Sequence, residues 1–493
     1  MIRVFPKTVF ALALTSFASA PCLQAQETTV GQQNTAKADE KKNDFEELRK
    51  VVQTGTFEEA RKAIQSAAEA NPDDMRITQL RTSVVLRLLN EGKVDDAVSE
   101  AEVLFQTQLA RAKDADSLRN LSATSTMIRS VLMQANRNEK FLELIDQAIA
   151  RARELSEGSK TTEFMIPVSQ LISTKAQTLA AMKQTKEAND LLNAQLESLK
   201  ESLQSPATQD DAALASSNLM KNRISIAMQT STGDVDALTG ELDALVRGAV
   251  EKNNQSVPLM QEFLMVRGSE ISRIHRDEPE AAEKLLQDTL VTVEASELKK
   301  VPAITTQVER IKRLEQQIAV ARLLKEMIGK PAPEFDIAAW AHGSGLTAEQ
   351  MKGKVILLDF WAVWCGPCIA TFPHLNEWYD EFHGQGFEII GVTRQYGYTW
   401  DEEAGRASRA KAGEEVTLDG ELAMLEKFMK HHELRHASIV TPKEADMNKR
   451  YGVTGIPHAV LIDRKGNIRM IKVGSSEANA EALHGMIRQL LAE

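Results

Sequence analysis

Apolar side chains recur at helical spacing through the first two-thirds of the chain and change to strand-like runs in the last third. Leu48, Val51 and Val52, then Phe57, Ala60, Ile64 and Ala67, fit helix faces on either side of Gly55. Asn71-Pro72-Asp73-Asp74 interrupts them, and Asp73 or Asp74 is suited to cap the next helix. A similar unit returns at EGKVDDAVSEAEVLF, where Gly92 and Ala97 repeat the spacing of Gly55 and Ala60. Weaker echoes stand at NRNEKFLELIDQAI, KQTKEANDLLNAQL and GDVDALTGELDAL. Small residues at such places let paired helices approach, and pairs stacked on pairs build a solenoid. The pattern predicts an all-α helical-repeat array over residues 44–328.

Beyond residue 328 strands alternate with helices. KVILLDFWAV (354–363) has the continuous apolar character of a central strand, and FEIIGVTR (387–394) is a second. HAVLIDRKGNIRMIKVG reads as a hairpin turning at Lys465-Gly466-Asn467. Ile369, Phe372, Leu375 and Phe382 share one face of an intervening helix. Residues 329–493 are therefore expected to form an α/β domain around a buried sheet. The polar, charge-rich stretch from Gly397 to Leu418 reads as a surface insertion, a candidate flap for partner contact.

Composition sharpens the boundary. Every Trp (340, 361, 364, 378, 400) and every Tyr (379, 396, 398, 451) lies beyond residue 339, whereas the preceding stretch is rich in Ala, Leu, Glu, Gln and Lys. GKPAPEF (329–335) marks the junction. With 493 residues the chain exceeds what one core organises, so more than one domain is expected. The net charge of -11, without a basic block, argues against nucleic acid as a partner.

The N-terminus has the pattern of an export signal: Arg3 and Lys7, then an apolar run from Thr8 to Phe17, then small residues. Cleavage after Ala25 fits better than cleavage after Ala20, which would leave Pro21 at the new terminus. The alternative is an uncleaved anchor, although the apolar run is shorter than the roughly 20 residues a spanning helix needs. Pro21 also fits a lipid-attachment signal at Cys22 badly. Residues 26–43 are polar and read as a flexible leader. Removing residues 1–25 leaves Cys365 and Cys368 as the remaining cysteines, too few for a disulfide framework.

Those two cysteines carry the chemistry. Asp359-Phe360-Trp361-Ala362-Val363-Trp364-Cys365-Gly366-Pro367-Cys368 runs from a strand into a Cys-x-x-Cys that opens a helix. Free backbone N–H groups and the dipole at a helix start favour an anion, so a thiolate is stabilised there. Cysteine pKa in such places falls from about 8.5 to between roughly 3.5 and 7.5. The spacing sets both sulfurs on one turn, within reach of an exchangeable disulfide. Zinc normally needs four Cys or His ligands, and no second cysteine pair exists. A purely structural bridge enclosing so few residues removes little unfolded-state entropy. His431, His432 and His436 stand near the end of a helix running from Glu421. The pair His432 and His436 has ligand spacing, but no third ligand accompanies it, and the group reads as a solvated helix end.

In GKPAPEF, GKVILLDFWAVWCGPC and YGVTGIPHAVLIDRKGNI, residues 328–493 resemble the thioredoxin superfamily, specifically the exported TlpA/ResA-like thiol–disulfide oxidoreductases. The early helical units more loosely resemble tetratricopeptide repeats, without that consensus's aromatic positions. The thioredoxin resemblance implies that Cys365 attacks a substrate disulfide and that Cys368 resolves the mixed disulfide. Gly366 and Pro367 form the active-site loop between them. Asp359 matches a buried acid that takes the Cys368 proton, directly or through water. Pro457 matches a cis-proline facing the site, Ile456 before it would pair with an extended substrate strand, and Trp364 would shield the disulfide. Pro373 sits where thioredoxin helices kink. Many relatives carry a Glu between the cysteines; Gly-Pro here favours a reducing poise.

The expected activity is protein-disulfide reduction outside the cytoplasm, with no cofactor beyond the Cys365–Cys368 couple and no metal. Expected partners are proteins with disulfides, a membrane thiol–disulfide carrier of the DsbD or CcdA kind implied by the family, and a peptide or protein ligand of the repeats. The competing reading is an interaction scaffold whose redox domain is auxiliary. A third, a peroxidase, would consume peroxide at Cys365.

Overall fold

The computed structural model describes residues 45–71, 74–157, 159, 161–343, 345–411 and 413–493. The expected export signal, the polar leader and Asp73 lie outside the described residues. Helices α1 (45–54), α2 (Phe57–Ala70), α3 (Met75–Asn90), α4 (Val94–Arg111), α5 (Ala115–Gln134) and α6 (Asn138–Glu157) belong to one compact unit. Local chemistry sets their starts. Thr56 and Glu59 form a reciprocal capping box at α2, and Asp114 and Ser117 form another at α5. Asp74 caps α3 by accepting the Arg76 N–H at 2.9 Å. Each helix from α2 to α5 packs on the next, and α4 also meets α6.

A second unit opens with α7 (Met165–Ala181), α8 (Thr185–Ser198), α9 (Gln209–Thr230), α10 (Val235–Lys252) and α11 (Val257–Ile274). It continues with α12 (Pro279–Glu294), α13 (Pro302–Lys312) and α14 (Leu314–Met327), the first two of these opening on a proline, which needs no N–H partner there. Here α7 packs on α9, α9 on α11, α11 on α13 and α12 on α14, so helices meet next-but-one neighbours as well as sequence neighbours.

Several turns between helices share one form. Gly92, Asn136, Lys183 and Ser231 all have positive φ. The following N–H reaches back one turn: Lys93 to the Leu88 carbonyl, Arg137 to Leu132, Gln184 to Leu179 and Thr232 to Ala227. This left-handed termination satisfies carbonyls that the helix leaves open. Ala97, Phe141 and Ala188 then occupy matching buried places in the following helices. The units that begin at Gly92, Asn136 and Lys183 share this turn, whereas Gly55 has no positive φ and Ser231 is followed by no matching buried residue. Phe141 shows that the place accepts a large side chain too.

The C-terminal third is a six-stranded mixed sheet of order β1-β6-β3-β2-β7-β8. The strands are β1 (Ala339–Ala341), β2 (Val355–Phe360), β3 (Phe387–Arg394), β6 (Ser438–Thr441), β7 (His458–Ile462) and β8 (Ile468–Val473). β2, β3 and β6 run parallel, while β1, β7 and β8 pair antiparallel to their neighbours. Alternate residues of β2 serve opposite faces. Val355 and Leu357 pack against α16 (Gly366–Phe382), α17 (Leu418–His431) and α19 (Glu477–Ala492). Ile356, Leu358 and Phe360 face Met447 of α18 (Met447–Arg450), Met351 of α15 (Ala348–Met351) and Tyr451. The fold is thioredoxin-like, with a helical region before it.

Two features go beyond the sequence reading. The stretch from Gly397 to Leu418 is not a plain surface loop: β4 (Tyr398–Asp401) and β5 (Arg406–Arg409) form an antiparallel hairpin, and Tyr398, Trp400 and Ala407 pack against the core. At the junction, Leu324 and Met327 of α14 join the cluster on the second sheet face. Gly329 donates to the Ile468 carbonyl at 2.7 Å and Ile468 to Lys330 at 2.9 Å. The last helix before the sheet domain therefore contributes to that domain's core.

Candidate active site

The chain leaves β2 at Phe360, turns through Trp361 to Trp364 and enters α16 at its N-cap, Cys365. Cys365 and Cys368 are joined as a disulfide with their Cα atoms 5.3 Å apart. The Cys368 N–H points at the Cys365 sulfur, 3.2 Å away. This is the unsatisfied N–H of a first helical turn, placed to stabilise a thiolate once the bond is reduced. Gly366 and Pro367 fill the first two helical positions, and Pro367 loses nothing by lacking an N–H there. Both cysteines are buried, Cys365 at 4% exposure and Cys368 fully. Trp364 beside them stands open, its ring perpendicular to that of Tyr396.

Asp359 lies on the α16 face of β2 and is buried, with Oδ2 unpartnered. Burial without a compensating charge pushes its carboxyl up to about 7. It lines a cavity of about 40 Å³ together with Thr371, His374, Pro457, Ala459 and Lys472. That volume holds a small number of waters. Sheet register explains the set: Asp359 pairs with Ala459, and Ala459 with Lys472, so the three share one face across β2, β7 and β8. Thr371 donates to the Cys368 carbonyl at 2.7 Å and so links the cavity to the second cysteine.

The peptide between Ile456 and Pro457 is cis, and the Pro457 carbonyl accepts the Gly474 N–H at 2.9 Å. Ile456 packs against the same core cluster that contains both cysteines. Asp359 and Pro457 thus meet at the cavity, Ile456 and the cysteines meet in the core, and Trp364 faces outward. Pro373 lies inside α16, which continues past it to Phe382. Sequence reasoning missed Thr371 and Lys472. The alternation of β8 was the available signal for Lys472, but it becomes informative only once register is known.

The histidine cluster is not a solvated helix end. His436 is buried, neither of its ring nitrogens has a partner, and burial, helped by His342, pushes its pKa down to about 3. His432 is half-buried against Phe372 and Phe428, and His431 packs on Trp400. The sheet-domain core closes around this end of α17, which the polar sequence between His431 and His436 did not indicate. Among the described residues no group of three or more His, Cys, Asp or Glu is gathered to hold a metal ion.

Residues 327–486 match the Redoxin family. The C-terminal third is a Redoxin domain. Thiol-disulfide oxidoreductase ResA of Bacillus thuringiensis is 27% identical over 166 residues, 34% of this chain and 80% of the relative. ResA of Geobacillus thermodenitrificans is 27% identical over 148 residues, covering 30% of this chain and 70% of the relative. Among solved structures, a thiol-disulfide isomerase from Corynebacterium glutamicum is 21% identical, covers 34% of this chain and 98% of that one, and has a TM-score of 0.27. The Redoxin domain makes this chain an oxidoreductase of the thiol–disulfide kind. Among the described residues no helix is long and apolar enough to cross a membrane.

Proposed function

We propose that the chain is an exported protein-disulfide reductase that works through Cys365 and Cys368. The carrying observation is Cys365 at the N-cap of α16 with Cys368 one turn into the helix. In the reduced protein the Cys365 thiolate attacks a substrate disulfide, forming a mixed disulfide and releasing one substrate thiolate. The Cys368 thiolate then attacks the Cys365 sulfur. The second substrate thiol leaves, and the Cys365–Cys368 disulfide forms as the substrate gains two electrons and two protons. Asp359, with a carboxyl near neutrality, accepts the Cys368 proton through water in the cavity it shares with Thr371 and Lys472. Trp364, Ile456 and Pro457 line the approach. Gly-Pro between the cysteines supports the reducing direction.

A domain with this role outside the cytoplasm is recharged by a membrane thiol–disulfide carrier of the DsbD or CcdA kind. The export pattern of residues 1–25 and the ResA relatives support that setting. The helical region is the partner- or substrate-binding part. In support, Leu290, Val291, Val293 and Val308 line an open groove of about 380 Å³ edged by Glu294, Lys299, Glu309 and Lys312. The same groove favours the second reading, a scaffold whose redox domain is auxiliary.

Trapping separates the readings. Cys368→Ser is expected to accumulate a mixed disulfide with a substrate protein through Cys365, released by dithiothreitol, whereas Cys365→Ser accumulates none. Equal adducts in both variants, or none in either, would count against the reductase.

A further inference from the structure

Beside the disulfide stands an aromatic wall that the redox step itself does not require. Trp364 is 51% exposed, and its ring meets Tyr396 edge-on with centroids 5.6 Å apart and planes at 88°. The Arg394 guanidinium lies over the Tyr396 ring, 5.0 Å from its centroid. Tyr396 sits in the loop after β3, where no strand partner fixes the backbone. Glu421, in the first turn of α17, does so instead. Its side chain is buried, and its two carboxylate oxygens accept the Tyr396 N–H at 2.6 Å and the Gly397 N–H at 3.0 Å. A buried carboxylate needs such hydrogen bonds to be tolerated, and charge-assisted bonds to backbone N–H groups hold a loop firmly. The Ala410 N–H on the Gly397 carbonyl and the Gln395 amide on the Val416 carbonyl close the loop behind it.

We propose that Tyr396, with Trp364, forms a binding site for an aromatic side chain next to the reacting cysteine of a substrate polypeptide, and that Glu421 is the residue that positions Tyr396. The inference rests on the reductase reading and names its substrate class. An open Trp with a perpendicular Tyr offers a ring face and a ring edge, the two surfaces on which an incoming aromatic packs. The Arg394 guanidinium over the Tyr396 ring adds a cation–π contact that holds the ring in place. Trp, Tyr and Arg are also the residue types that dominate binding energy at protein contacts. A small polar neighbour of the cysteine gains little from such a wall.

The test uses the full chain and two disulfide-bridged peptides, identical except for Phe or Ser beside one cysteine. The wild type is expected to show a KM about tenfold lower for the Phe peptide, as one aromatic contact implies. Tyr396→Ala should abolish that preference through KM rather than kcat, and Tyr396→Phe should keep it. Glu421→Ala should abolish it as well, with Glu421→Gln, which retains one acceptor, intermediate. Should Glu421→Ala fail to fold, the two Tyr396 variants carry the test. A wild type without preference, or a Tyr396→Ala that weakens both peptides alike, overturns the inference while leaving the reductase reading intact. Failure of the wild type to reduce either peptide overturns both.

Discussion

At the scale of single residues, three buried titratable groups set opposing demands. Asp359 has its carboxyl raised to about 7, so the native state holds a proton that the unfolded chain releases above about pH 4. Its contribution is fully present below the unfolded pKa and is lost as pH rises to about 7, at a cost of about 4 kcal/mol as an upper figure. Asp359→Asn is therefore expected to raise stability at about pH 8 in urea unfolding, and to slow resolution by Cys368 by about 10- to 100-fold in stopped-flow reduction. His436 and His458 act the other way. Burial lowers them to about 3 and about 4, so their contribution is present above about pH 6.5 and is lost as pH falls through their native values. Between about pH 4 and 6.5 two histidines oppose one carboxyl, so stability falls with acid. Replacing His436 with Leu and His458 with Phe should reverse that slope; an unchanged slope in pH-dependent unfolding would refute the assignment. Asp359 and the cysteines were legible because an acid inside an apolar run and a Cys-x-x-Cys after it are local patterns. The burial of His436 was not, because the polar residues next to it in sequence give no sign that the fold covers this position.

At the scale of elements, long strands and helices followed from periodicity. FEIIGVTR corresponds to β3 residue for residue, and the hairpin turns where Gly466, at φ 83°, permits it. The β4–β5 hairpin escaped because its strands are short and half-buried, too brief for alternation to register. The turns of the helical region give a direct prediction. Asn136 and Lys183 occupy left-handed positions at φ 55° and 65° that glycine adopts without a Cβ penalty. Asn136→Gly and Lys183→Gly are each expected to stabilise the protein by roughly 0.5–1 kcal/mol, and Gly92→Ala to destabilise it by about 1 kcal/mol, in chemical denaturation.

At the scale of the whole molecule, the composition shift near residue 328 was clear, but the packing boundary lies earlier. Leu324 and Met327 pack on the second face of the sheet, and Leu324 comes so close to Gly452 that a Cβ there would stand 2.5 Å from it. A fragment starting at residue 329 is expected to melt well below one starting at residue 314, because it loses the side chains that cover this face. Equal melting temperatures would show that α14 is dispensable to the sheet domain. The fragment from residue 314 is also expected to reduce small disulfides as the full chain does, with any loss confined to protein partners that the helices bind.

The measurement that bears most directly on the whole account is the equilibrium reduction potential of the Cys365–Cys368 pair, with Cys365→Ser as the blank. A value near about -270 mV, the thioredoxin end of the scale, is the predicted result and fits a reductase fed by a membrane donor. A value near about -120 mV would make the protein a disulfide donor and contradict the proposed direction. Absence of any reversible dithiol couple would contradict the thiol–disulfide chemistry itself and leave the scaffold.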